Sequence, residues 1–172
     1  MMKSSWTVPQ WNSCVSDKKQ GADMSEIVFK NTDVSSLKPG TYITFSKTLS
    51  DTDAMLYAGI SGDMSPLFLN EQFAAKTEFK TRTVHPMLVA SIAGAAVYLL
   101  LSPAVRSVYR NFHFKAPVYA GDTVTAVATV ESVDASRNQV ELGIQCFNQN
   151  DELVLEGESE EIVIRQQNGA EM

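Results

Sequence analysis

From Val84 to Leu101 the chain reads Val84-His85-Pro86-Met87-Leu88-Val89-Ala90-Ser91-Ile92-Ala93-Gly94-Ala95-Ala96-Val97-Tyr98-Leu99-Leu100-Leu101. No polar stripe recurs at the helical period. A helix of this kind is expected to be buried on every side or to cross a membrane. It runs for about 16 residues before Ser102-Pro103, short of the roughly 20 that a bilayer requires. Its centre, Ala90 to Ala96, is rich in small residues, so a sheet can approach closely. Pro86 falls in the first turn, where its missing amide is tolerated.

On either side the period is different. Thr41 to Leu49 sets Ile43 and Phe45 against Thr44 and Ser46, which predicts a strand. Ser50-Asp51-Thr52-Asp53 resembles a capping box opening a short helix to Gly59, with glycines at its end. Gly62 to Phe68 is expected to be a loop from its Gly and Pro content. Asn70 caps a second short helix, Phe73 to Lys76. After Pro103 the spacing becomes two. Arg110, Phe112 and Phe114 alternate with Asn111, His113 and Lys115. Val124, Ala126, Ala128 and Val130 line one strand face, and Val140, Leu142, Ile144 and Cys146 the next. Leu153 to Ile164 completes the series. Helices and strands segregate, so the fold class is α+β. An antiparallel sheet wrapped around one long buried helix is the hot-dog fold.

The 172 residues, 44% apolar and 20% charged, suit one soluble domain. We expect a flexible extension over residues 1–33, a domain over 34–165 and a polar tail over 166–172. Trp6, Pro9 and Trp11 lie in the extension, and Met24 is an alternative start. A net charge of −6 argues against nucleic-acid or anionic-membrane binding as the main role. Cys14 and Cys146 fit no metal spacing. With no apolar segment after Met1-Met2-Lys3, they are expected as free thiols in a cytoplasmic protein. No metal and no cofactor is expected.

Three motifs then occur in order. Tyr57-Ala58-Gly59-Ile60-Ser61-Gly62-Asp63-Met64-Ser65-Pro66-Leu67-Phe68-Leu69-Asn70 resembles the signature Ser-Gly-Asp-x-Asn-Pro-Leu-His of MaoC-like (R)-specific enoyl-CoA hydratases and 3-hydroxyacyl dehydratases. Thr83-Val84-His85-Pro86-Met87-Leu88 resembles the family's Ile-Val-His-Gly-Met-Leu. Phe114-Lys115-Ala116-Pro117-Val118-Tyr119-Ala120-Gly121-Asp122 resembles its Phe-Lys-x-Pro-Val-x-x-Gly-Asp. The resemblance covers roughly Lys38 to Val163. It implies a hot-dog fold, a CoA or acyl-carrier-protein thioester as substrate, and a dimer formed through an open sheet edge and helix side. It also implies an Asp and a His that hold the water added across an enoyl bond, and a helix N-terminal amide on the thioester oxygen.

The departures from the pattern concern chemistry. Asp63 keeps the family's Asp. Phe68 stands where the His is expected, Ser65 where the Asn is, and Pro86 where the amide-donating Gly is; proline has no N–H. Asp63 is therefore the catalytic candidate, with Ser65 and His85 behind it. Asp63 could equally cap the loop backbone, and a structural histidine at a helix start suits His85. Phe68, Pro86, Met87, Ser91 and Gly94 are the candidate substrate-binding positions, although Met87 could be core. Lys115 and Arg110 could meet CoA phosphates or simply be solvated. His113 is expected to face away from Phe112 and Phe114. Three functions follow: a divergent hydratase or dehydratase working through Asp63, a non-catalytic acyl-thioester-binding subunit of a hot-dog heterodimer, or a thioesterase.

Overall fold

The computed structural model describes residues 32–102 and 104–164. Trp6, Pro9, Trp11, Cys14 and Met24, and the expected tail, lie outside the described residues. The elements are β1 (Tyr42–Thr48), α1 (Asp51–Ser61), α2 (Pro66–Leu69), α3 (Glu71–Ala74), α4 (Pro86–Leu101), β2 (Val105–Phe114), β3 (Thr123–Asp134), β4 (Gln139–Phe147) and β5 (Leu153–Val163). The five strands form one antiparallel sheet in the order β1-β3-β4-β5-β2. This is the α+β hot-dog arrangement expected, with α4 lying on the concave face of the sheet.

Local chemistry sets the helix limits. Ser50 Oγ accepts from the Asp53 amide while the Asp53 carboxylate accepts from the Ser50 amide, so α1 opens on a full capping box. It runs two residues past Gly59 and stops at Gly62, whose φ of 75° is cheap for glycine alone. The expected loop over 62–68 is corrected: Pro66–Leu69 form a helical turn. Ser65 caps it by accepting from the Leu67 amide, and Pro66 presets its first position. Asn70 caps α3 through the Phe73 amide. That cap fixes Glu71 as the first helical residue, two before the expected Phe73.

The alternating strand positions form the core. Val124, Ala126, Ala128, Val130, Val140, Leu142, Ile144 and Cys146 are all buried beneath α4. Ala90, Ala93 and Ala96 are buried too, and α4 packs chiefly on β1 and β3, so the small residues permit the close approach. Truncating Ile144 to alanine in such a core costs about 2–5 kcal/mol. Burial also raises the Cys146 thiol to about 12, which leaves it inert as a nucleophile.

One expectation about α4 fails. Met87 and Ser91 are exposed, and Gly94, Ala95 and Tyr98 are half-buried, so a stripe of the helix remains open. A single curved layer covers a helix from one side only, so composition alone overstates enclosure. The exposed helix side implied by the family resemblance is what the fold presents. The open stripe lies away from β1 and β3. Among the described residues no helix is long and apolar enough to cross a membrane. Strand β2 forms one edge of the sheet and starts at Val105. Its register shifts between Ser107 and Tyr109, a bulge that turns Val108 outward.

Candidate active site

The start of α4 is where the candidate residues converge. His85 is the N-cap, with Pro86 in the first helical position. Its Nδ1 accepts from the Met87 amide at 3.0 Å. A nitrogen that accepts from an N–H carries no proton, so the ring hydrogen is on Nε2. Nε2 lies 3.0 Å from Asp63 Oδ2 and donates to it. The other oxygen, Oδ1, accepts from the Ser65 amide at 3.0 Å. Both bland readings therefore hold: Asp63 does fold the loop backbone, and His85 does cap a helix. They also hold each other. The Asp63 side chain is 44% exposed and keeps lone pairs toward solvent, whereas both His85 nitrogens are engaged.

Aromatic rings fix the imidazole. Phe68 lies with its ring centre 4.8 Å from that of His85, and Tyr57 with its centre at 5.0 Å. Tyr57 has no role in the reading of the sequence, although it opens the first motif. Its stacking on a ring 28 residues away has no local signature.

None of the first three residues of α4 offers an open amide to a developing oxyanion. Pro86 has none, the Met87 amide is held by His85 Nδ1, and the Leu88 amide bonds the His85 carbonyl at 2.9 Å. Ser91 Oγ donates to the Leu88 carbonyl at 2.6 Å, which ties the hydroxyl to its own helix. Ser65 Oγ is occupied as the cap of α2.

A cavity of about 290 Å³ opens beside this cluster. Phe68, Pro86, Val89, Phe114, Val118 and Val154 form much of its apolar wall, with Thr83 and Lys115 among the polar contributors. Asp63 is not in the lining. Phe68 is the link, since it touches the His85 ring and the cavity alike. Of the five substrate-binding candidates, Phe68 and Pro86 line the cavity. Met87, Ser91 and Gly94 lie along the open stripe of α4 instead. The distant walls, Phe79 and Val154, come from segments with no motif. Only tertiary packing gathers them.

The cations are already partnered. Lys115 Nζ pairs with Glu156 at 2.6 Å. Arg110 pairs with the buried Glu161 at 2.9 Å, which corrects the expectation of a solvated strand-end charge. His113 is exposed, on the face of β2 opposite Phe112 and Phe114, as alternation predicts. No group of three metal-ligating side chains comes together among the described residues.

A family model described as MaoC like domain matches residues 35–146. An (R)-specific enoyl-CoA hydratase of Rhodospirillum rubrum is 38% identical over 124 residues, 72% of this chain and 85% of that protein. The chain belongs to the MaoC-like family. A 3-hydroxybutyryl-CoA dehydratase of Methylorubrum extorquens is 33% identical over 124 residues, 72% of this MaoC-like chain and 78% of its relative. The unliganded R-hydratase PhaJ1 of Pseudomonas aeruginosa superposes with a TM-score of 0.73 at 27% identity, covering 83% of this chain and 94% of that one. These relatives are a hydratase of enoyl-CoA and a dehydratase of 3-hydroxybutyryl-CoA. In this chain Asp63 reaches the head of α4 through its bond to His85.

Proposed function

We propose that this MaoC-like protein binds CoA- or acyl-carrier-protein-linked acyl thioesters and that Asp63 is its one proton-handling group. The observation that carries the reading is the Asp63–His85 bond. It aims a half-exposed carboxylate beside an apolar cavity while His85 is committed through both nitrogens. In the hydration direction, Asp63 takes a proton from water as the hydroxyl adds to C3. The same carboxyl then returns that proton to C2, so the charges balance on one residue. Phe68 and Pro86 would flank the acyl chain, and Met87, Ser91 and Gly94 the open side. No cofactor is required beyond the CoA or phosphopantetheine of the substrate itself.

The reaction would be slow. Loss of an acid/base partner costs about 10²–10⁴ in rate. Loss of an oxyanion donor costs about 10²–10³. Crotonyl-CoA hydration followed by the loss of enoyl absorbance tests the reading. Wild type is expected to turn over weakly and Asp63→Asn not at all. Undiminished turnover in Asp63→Asn would sink it, and release of free thiol would point to thioester hydrolysis instead.

A second reading has its own observation. The β2 edge exposes Val108 and Tyr109, and the open stripe of α4 exposes Met87. A hot-dog partner seated there could supply the missing His, making this chain the binding subunit of a heterodimer. Co-purification with a MaoC-like partner, with turnover rising far above either chain alone, would favour this reading. A homodimer with unchanged activity would count against it.

A further inference from the structure

The stretch resembling Ile-Val-His-Gly-Met-Leu opens on Thr83, a hydroxyl where the family pattern has an alkyl side chain. Thr83 is 7% exposed and stands in the wall of the apolar cavity, two residues before His85. Its backbone forms an isolated antiparallel bridge with Tyr119, and the Val84 amide donates to the Val118 carbonyl at 2.7 Å. These bonds draw the segment out as a strand would. Val84 packs into the core, so Thr83 and His85 leave the chain on the other side together. That is the side where Phe68 joins the His85 ring to the cavity.

The Thr83 hydroxyl has no hydrogen-bond partner among the described residues. Nor is it sealed: the sealed side-chain atoms without a partner are Asn138 Oδ1 and Ser159 Oγ. It therefore meets open space, and the open space beside Thr83 is the cavity. A buried hydroxyl without a partner costs free energy that isoleucine or valine would not, and calls for a cause. Strand propensity is not the cause, because isoleucine suits an extended segment as well as threonine does. The other polar contributor, Lys115, is already held by Glu156 at 2.6 Å. Phe68, Phe79, Pro86, Phe114 and Pro117 make the remaining wall apolar. A charged group would lose its water there in exchange for one neutral hydroxyl. The cavity, about 290 Å³, lies at the small end of ligand pockets, which run from roughly 300 to 1,000 Å³, so it suits a short group.

We propose that Thr83 is a specificity-determining residue whose hydroxyl bonds an uncharged oxygen carried on the far part of a short acyl chain. This inference rests on the acyl-thioester reading above and narrows its substrate class. Thr83 Oγ1 donates to a carbonyl, or exchanges a hydrogen bond with a hydroxyl, at a point of the chain beyond the carbon that takes water. A plain alkyl chain would fill the cavity and leave the Thr83 hydroxyl without a partner. A carboxylate is excluded by the apolar wall and by the prior pairing of Lys115.

The test is calorimetric binding to the full chain of pentanoyl-, hexanoyl- and heptanoyl-CoA beside their counterparts with a ketone one carbon from the chain end. At one length at least, the keto thioester is expected to bind about three- to tenfold more tightly than the alkyl one. Thr83→Val trades an unpartnered hydroxyl for a methyl, so it should melt no lower than wild type. It should erase the ketone advantage and bind the alkyl thioesters as well as wild type does, or better. Thr83→Ser should keep the advantage. No advantage at any length, or one that survives Thr83→Val, would overturn the subsite and leave the acyl-thioester reading standing. So would a loss shared equally by keto and alkyl thioesters, which would put the hydroxyl on the thioester instead. A lower melting temperature for Thr83→Val would mean that the fold itself uses the hydroxyl, and would overturn the subsite as well. Failure of every thioester to bind would overturn the acyl-thioester reading and the subsite with it.

Discussion

Helices α1 and α4 begin with the same device and to different effect. At α1, Ser50 and Asp53 exchange hydrogen bonds with each other's amides on an exposed surface, and the result is local stability. At α4, His85 takes the Met87 amide through Nδ1, and its other nitrogen reaches Asp63 in a different loop. The first cap satisfies orphan donors. The second does so too, yet it also occupies the donor nearest the point where a thioester oxygen would need one, and it positions a carboxylate. A cap is chemically neutral or decisive according to what lies within reach of its far side.

The sharpest way to break this comparison is to give α4 a donor it lacks. Pro86→Gly combined with Phe68→His is expected to raise crotonyl-CoA hydration by about 10²–10⁴. No gain in the folded double variant would show that the helix start is not the thioester end. Next in size is Asp63→Asn, which should remove at least about 10² of whatever turnover wild type has. Steady-state kinetics decides it. His85→Gln keeps a cap-competent acceptor and a donor, so kcat should fall by about tenfold or less. His85→Ala should lower kcat further, while KM moves little if His85 acts through Asp63. Equal kcat values for the two variants would reduce His85 to a plain cap.

The α1 cap should answer only in stability. Ser50→Ala is expected to cost about 1 kcal/mol in denaturant melts, with kcat unchanged. Its pH dependence has a defined sign. The Ser50 amide and hydroxyl, then Lys47, hold the Asp53 carboxyl down at about 2 from an ordinary 3.8. A depressed carboxyl stabilises the fold fully above its unfolded value and loses that contribution as pH falls from about 3.8 toward 2. The acid limb of wild-type stability should therefore flatten in Ser50→Ala. The flattening is partial, because alanine keeps the Ser50 amide, and an unchanged limb would mean that the Ser50 hydroxyl is no part of what depresses Asp53.

Much of this was legible along the chain. The period-two runs Val124–Val130 and Val140–Cys146 pointed inward because a strand that buries one face must alternate. The caps Ser50 and Asn70 announced their helices, although the α3 boundaries moved by two residues. Ser65-Pro66 announced α2 as well, but the Gly and Pro count masked it as a loop. Asp63 and His85 were legible as residues and not as a pair. Sequence spacing of 22 residues says nothing of a 3.0 Å contact across two loops.

Composition, alternation and local caps are set by covalent neighbours, so the chain alone determined the α+β class, the core strands, the central helix and the proline without an amide. Contacts between segments depend on how curved surfaces meet. Tertiary structure alone therefore decided that α4 keeps an open stripe, that the Met87 amide is taken, and that Phe68 joins the His85 ring to a cavity. It also decided that a bulge at Val108 sets Ser107 and Arg110 side by side on Glu161, because a one-residue shift in pairing reverses every side chain beyond it.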